Sequence, residues 1–171
     1  LEVREAIARK FKRDNDLNYF SDQIVVSTGA KQSITNAVMA IVSSGEEVIL
    51  PAPYWVSYSE IVKLANGKIV PITTTIDNDF KITPEQLENA ITPNTRMMIF
   101  SSPCNPSGSV YSMEELEALA LVIQKLPSLY VISDEIYEHI NFVGSHASLA
   151  TIDSIYEQVI TINGVSKAFA M

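Results

Sequence analysis

A single cysteine, Cys104, rules out an internal disulfide framework in this chain of 171 residues. A reducing cytoplasm is the plain expectation. Only two histidines are present, His139 and His146, and neither has a cysteine or second histidine at metal-ligand or protease spacing. No zinc motif and no Ser-His-Asp arrangement can be assembled, and no metal is expected. Positive charge is scarce: 12 Lys and Arg face 20 Asp and Glu, a net charge of −8. A nucleic-acid binder draws much of its affinity from Lys and Arg, so that class is disfavoured. No apolar run approaches the ~20 residues of a membrane span. No signal-peptide pattern is present. The chain begins at Leu1 in the middle of a helical pattern, and both ends read as cut from a longer protein.

What is present is a globular composition, 47% hydrophobic, on a length suited to one domain. Leu1 to Arg13 places Val3, Ile7 and Phe11 at spacing four, the end of an amphipathic helix. Short apolar runs then alternate with helical patterns. Strands are expected at Ile24–Ser27, Glu47–Leu50, Lys68–Ile72, Arg96–Ser101, Leu129–Ser133 and Val159–Ile162. Helices are expected at Ala30–Val42, with Ser27 or Thr28 as cap, and at Trp55–Ala65. Thr83-Pro84-Glu85 starts another by the cap-then-proline rule. Ser112-Met-Glu-Glu115 is a capping box opening a helix to Lys125. Asn141 to Ser148 is a loop. The alternation predicts an α/β fold, a mostly parallel sheet with helices on both faces.

Ligands of open α/β sheets bind beyond the carboxyl ends of the strands. Five chemically loaded segments follow predicted strands, and their convergence carries more weight than any one of them. Gly29, Ala30 and Lys31 form a turn into a helix, where free N–H groups favour a phosphate; an ordinary tight turn is the bland alternative. Trp55, the only tryptophan, follows Pro51-Ala-Pro-Tyr54. It can stack on a flat ligand or fill the core, and Tyr54 and Tyr58 share both readings. Asn105 opens Asn-Pro-Ser-Gly108, strong turn chemistry that can also present an amide. Asp134 ends an apolar run. It can pair with a protonated ring nitrogen or cap the turn through Tyr137. Tyr137 is a phenol with a core or a ligand role. Lys167, in Gly164-Val-Ser-Lys167, is a surface lysine or an amine nucleophile; as nucleophile it must lose its proton. Cys104 reads as a small buried side chain, and the two histidines as structural or exposed.

Together these segments resemble the fold-type I pyridoxal-phosphate aminotransferases, nearest the bacterial aspartate aminotransferase subgroup of class I/II. The resemblance runs through Val26-Ser-Thr-Gly-Ala-Lys-Gln32, Pro53-Tyr-Trp-Val-Ser-Tyr58, Asn105-Pro-Ser-Gly108, Ser133-Asp-Glu-Ile-Tyr137 and Asn163-Gly-Val-Ser-Lys-Ala-Phe-Ala-Met171, in the family's order and spacing. It implies a three-layer large domain of which residues 1–171 are the central part, without the N-terminal arm or the C-terminal small domain. It implies pyridoxal 5'-phosphate as cofactor, bound as a Schiff base to Lys167, which also carries the proton. Asp134 would pair with the ring nitrogen, and Tyr137 and Asn105 would meet the ring oxygen. Trp55 would stack on the ring. The backbone of Gly29, Ala30 and Lys31 would hold the phosphate. Trp55 and Asn105 would also line the substrate position. An amino acid and a 2-oxo acid would be the substrates of a cytoplasmic homodimer, with the isolated segment inactive.

Two departures stand out. Gly164 occupies the place of a common phosphate-binding serine, and Ser107 replaces the commoner threonine. The family's two anion-binding arginines would lie past Met171. Alternatives are a β-lyase or cyclopropane-forming enzyme on the same site, a ligand-sensing domain of a transcription regulator, and a folded remnant without a ligand.

Overall fold

Five parallel strands form one sheet in a computed structural model that describes residues 1–171. They are β1 (Glu47–Ala52), β2 (Lys68–Thr73), β3 (Thr95–Ser101), β4 (Tyr130–Asp134) and β5 (Val159–Ile162), in the order β2-β1-β3-β4-β5. Every neighbouring pair is parallel. The apolar runs read from the sequence explain this. Val48, Ile49, Leu50, Met97, Met98, Ile99, Val131 and Ile132 are all fully buried. A strand covered on both faces must be apolar at successive positions, because alternate side chains point to opposite sides.

That alternation divides the core in two. Ile49, Met98, Phe100 and Val131 pack with Phe11 of α1 (Glu2–Asn15), Leu87 of α4 (Pro84–Ala90) and Leu116, Leu119 and Ile123 of α5 (Met113–Ile123). Val48, Leu50, Met97, Ile99 and Ile132 pack on the other side, with Ile34 and Val38 of α2 (Ala30–Ile41) and Tyr58, Ile61 and Val62 of α3 (Ser57–Leu64). The result is the expected three-layer α/β sandwich. Each fully buried aliphatic side chain contributes about 1.5–3 kcal/mol, so the strands form a rigid base for the loops at their ends.

The helix starts follow local chemistry. Thr83 Oγ1 accepts from the Gln86 N–H at 3.2 Å while Gln86 Oε1 accepts from the Thr83 N–H at 2.9 Å, with Pro84 in the first turn. Ser112 and Glu115 make the same reciprocal pair. α2 departs from expectation: neither Ser27 nor Thr28 caps it, and Gly29 stands at the cap with φ 88°. Gln32 instead reaches back, its Oε1 accepting from the Thr28 N–H at 2.6 Å.

One expected strand is absent. Ile24–Ser27 forms no strand, with Ile24 buried and Val25 and Val26 77% and 55% exposed. A ladder needs a neighbour to complete its hydrogen bonds, and the four residues find none; β5 pairs only with β4. No helix is long and apolar enough to cross a membrane.

Candidate functional site

The carboxyl ends of β3, β4 and β5 lie level. Ser101 pairs with Asp134, and Asp134 with Ile162. The turns that follow are tied across the rim: the Ser102 N–H donates to the Asp134 carbonyl at 3.3 Å, and the Glu135 N–H to the Ile162 carbonyl at 2.8 Å. The loops bearing Asn105, Tyr137 and Lys167 therefore leave from adjacent points. Gly29 differs from expectation: it follows no strand and stands at the start of α2.

Asp134 is the centre of the arrangement. It is 4% exposed, at the last position of β4. Tyr58 Oη donates to its Oδ2 at 2.6 Å, and the Ile136 N–H approaches Oδ1 at 3.3 Å. Burial lifts its carboxyl above the ordinary carboxylate range; Tyr58, Ile136 and the charge of Lys167 pull it back only in part, and Glu135 adds to the rise. Desolvation disfavours the charged form, so a cation placed against Oδ1 would be strongly welcomed. Burial, then the charge of Asp134, pushes the Tyr58 hydroxyl far above the ordinary phenol range, so it stays a donor.

Lys167 lies on a single turn closed by the Phe169 N–H donating to the Val165 carbonyl at 3.2 Å. Its Nζ is 5.8 Å from the centroid of the Tyr137 ring. The Tyr137 hydroxyl makes no hydrogen bond within the chain, and neither does the Asn105 side chain, both half-buried. Asn105 is placed by the tight loop Cys104–Ser109, in which the Cys104 N–H donates to the Ser109 carbonyl at 2.9 Å and the Gly108 N–H to the Cys104 carbonyl at 2.8 Å. Half-buried Cys104 rests against the Pro53 carbonyl.

Trp55 is half-buried just before α3. Tyr58 meets it edge-on, centroids 5.6 Å apart at 84°, and Lys31 Nζ lies 4.9 Å from the indole centroid. The Ala30 and Lys31 N–H groups have no acceptor in the chain, which leaves two donors at the start of α2. A contact path thus runs Lys31, Trp55, Tyr58, Asp134, with Lys167 and Tyr137 beside it. A Cβ at Gly164 would sit 2.9 Å from Ile136 Cδ1, so the end of that side chain would have to shift to admit one. A cleft of about 380 Å³ lies elsewhere, among Asp16, Phe20, Asp153, Tyr156 and Glu157.

Tyr58 is the residue that sequence reasoning undervalued. In sequence it reads only as a stacking or core side chain. The available signal was its place one helical turn after Trp55; nothing in the sequence shows that it reaches a carboxylate 76 positions away.

The whole chain, residues 1–171, matches the family model described as aminotransferase class I and II. It is 50% identical to an aspartate/prephenate aminotransferase of Nitrosomonas europaea, over 99% of this chain and 43% of that protein. It is 49% identical to a bifunctional aspartate aminotransferase and glutamate/aspartate-prephenate aminotransferase of Petunia hybrida, over 100% of this chain and 36% of that protein. The crystal structure of the aspartate aminotransferase from Rhizobium meliloti superposes with a TM-score of 0.97 at 44% identity, covering 99% of this chain and 43% of that one. The Thermus thermophilus aspartate aminotransferase with maleate gives 0.94 at 44% identity, over 99% and 44%. The chain thus spans less than half the length of these relatives.

Proposed function

The chain belongs to the class I and II aminotransferases, and from that premise we propose that the whole protein moves an amino group between an L-amino acid, aspartate foremost, and a 2-oxo acid, using pyridoxal 5'-phosphate. Residues 1–171 are then the central part of the cofactor-binding large domain of a cytoplasmic homodimer.

The observation that carries this is Asp134: a carboxylate sealed at a strand end, held on one oxygen by Tyr58 and only weakly engaged on the other. The remaining polar groups fit the same cofactor. The Ala30 and Lys31 N–H groups, with Gly29 as the turn, would hold the phosphate. Trp55 offers a flat face, and the Asn105 amide and Tyr137 hydroxyl, both without partners in the chain, would meet the ring oxygen. Lys167 would hold the aldehyde carbon. Bound pyridoxal phosphate supplies an electron-withdrawing ring that takes up the electron pair left when a substrate Cα–H bond breaks.

The chain's own residues do the rest. Asp134 would favour a positive charge on the ring nitrogen, because its buried carboxylate is compensated only in part by the charge of Lys167. Tyr58 fixes the orientation of that carboxylate. The Lys167 amine, when neutral, accepts the proton at Nζ and returns it. Trp55 excludes water from one side and, with Asn105, bounds the substrate position.

The test is addition of pyridoxal phosphate to the whole protein, then of aspartate and 2-oxoglutarate. The expected result is a Lys167-dependent absorbance band and amino transfer, both lost in Lys167→Ala. No band and no transfer in the natural sequence would refute the reading.

A further inference from the structure

Asp134, Glu135, Tyr137 and Glu138, at the end of β4 and in the turn after it, have two different sets of neighbours. Asp134 and Tyr137 meet Tyr58 and Lys167. Glu135 and Glu138, each one position further along, meet none of these. Glu135 is 1% exposed: its Oε1 accepts from Ser133 Oγ at 2.9 Å and Ser148 Oγ at 2.8 Å, and its Oε2 lies 2.9 Å from His146 Nε2. Glu138 is 7% exposed. It accepts from Lys10 Nζ and, at 2.8 Å, from Asn15 Nδ2, with His139 Nε2 3.0 Å away. Lys10 Nζ also donates to Asn15 Oδ1 at 2.8 Å, closing a triangle between α1 and the turn.

We infer that Glu138, clamped by Lys10 and Asn15, is a positioning residue that sets where Tyr137 stands relative to the Lys167 amine. The inference rests on the aminotransferase reading for what that placement achieves, but the clamp itself stands on geometry alone. Burying a carboxylate and an ammonium is costly, and such a pair adds little net stability; what it supplies is a fixed register between two segments. Here the segments are 128 positions apart. The helix that supplies Lys10 packs on the sheet face opposite α2 and α3. Burial alone would raise the Glu138 carboxyl; hydrogen bonds from Lys10 and Asn15, then the charges of Lys10 and His139, hold it below the usual range. It is therefore anionic at neutral pH and the clamp is closed.

Donor atoms of Glu135, Glu138 and His146 lie within 4.8 Å of one another, a spacing that would suit a cation. Lys10 already supplies that positive charge to Glu138, and the two serines and His146 occupy Glu135. The cluster is an internal brace. Glu135 holds the turn to the loop bearing His146 and Ser148, and Glu138 holds it to α1. Between these anchors Tyr137 has little freedom. Displacing a positioned group by about 1 Å can cost on the order of a hundredfold in rate, which is why a remote clamp can matter.

The experiment uses the whole protein with K10M, E138Q and the conservative K10R. Amide hydrogen exchange is read at Glu138 and Ile140, whose N–H groups bond to the Glu135 carbonyl at 3.0 Å and the Tyr137 carbonyl at 2.7 Å. K10M and E138Q are expected to speed both amides about tenfold or more while β3 amides keep their rates, as local opening allows; K10R restores slow exchange. With pyridoxal phosphate bound, the pH midpoint of its absorbance change should move by about half a unit or more in K10M and E138Q, since the titration of a bound chromophore answers to the groups around it. Unchanged exchange, or exchange that rises equally in β3, overturns the clamp. Local exchange that rises without any movement of the midpoint overturns the positioning role. Local exchange that rises in a protein that forms no absorbance band with pyridoxal phosphate upholds the clamp and sinks the aminotransferase reading instead.

Discussion

Tyr58 donates a 2.6 Å hydrogen bond from its hydroxyl to Asp134, buried between α3 and the end of β4. Both partners are almost wholly enclosed, Tyr58 at 1% and Asp134 at 4% exposure. The bond fixes which carboxylate oxygen is spent inside the protein and which remains for a ligand. Tyr58→Phe keeps the ring and its packing against Trp55 while removing the donor. The expected cost is about 1–3 kcal/mol of folding stability, because a buried acceptor loses its main partner. Cofactor affinity should fall about tenfold, as one charge-assisted hydrogen bond is worth roughly 1.5–3 kcal/mol and only part is lost when the carboxylate reorients. Denaturant unfolding and a pyridoxal-phosphate titration would measure the two effects.

Asp134→Asn should separate stability from function. Burial raises the native carboxyl of Asp134 above its unfolded value. The folded state therefore binds the proton more tightly than the unfolded state. The associated stability is complete below the unfolded pKa, about 4, and is lost as pH rises through the folded value. The amide has no such loss. Without cofactor, the variant should gain on the natural sequence as pH climbs from about 4 through the folded value, each kcal/mol raising Tm by about 2–4 °C. With cofactor the order should reverse, because the amide cannot pair ionically with a ring cation. A Tm difference that stays flat with pH would show that Asp134 carries no burial penalty.

Much of this fold was legible because it is local. Unbroken runs such as Val48-Ile-Leu50 and Met97-Met-Ile-Phe100 signal strands covered on both faces. Thr83-Pro84 and Ser112-Met-Glu-Glu115 mark two helix starts. The placement of Asp134 at the end of β4 and of Lys167 in the loop after β5 was legible, because each is set by the apolar run before it. What sequence reading missed depends on partners far away. Ile24–Ser27 has strand composition, but pairing decides whether a strand forms. Tyr58 with Asp134 and Lys10 with Glu138 join residues 76 and 128 positions apart. No sequence motif marks Lys10 or Glu138.

The capping box of α5 gives a test confined to local structure. Ser112 Oγ accepts from the Glu115 N–H at 3.3 Å, and Glu115 Oε2 accepts from the Ser112 N–H at 2.8 Å and from Lys81 Nζ at 2.9 Å. Ser112→Ala is expected to cost about 0.5–2 kcal/mol, the usual range for a lost N-cap. Denaturant unfolding would show it. Cofactor affinity should not change, since α5 covers the sheet face away from α2 and α3.

Trp55 offers an optical readout, being the only tryptophan of the 171 residues. Its indole is bounded by the Tyr58 edge and by the Lys31 ammonium at 4.9 Å. A cation over an exposed aromatic face is worth about 0.5–1 kcal/mol, enough to bias a flexible lysine toward the ring. Lys31→Met should therefore change Trp55 emission before any ligand is added, with little effect on stability. Pyridoxal phosphate should then quench Trp55 emission in both chains, because a ring stacked on the indole does not depend on the ammonium. Quenching in neither chain, with cofactor bound by the absorbance measurement, would remove Trp55 from the site. Quenching only in the natural sequence would mean that the ring is held by Lys31 and not by the indole face.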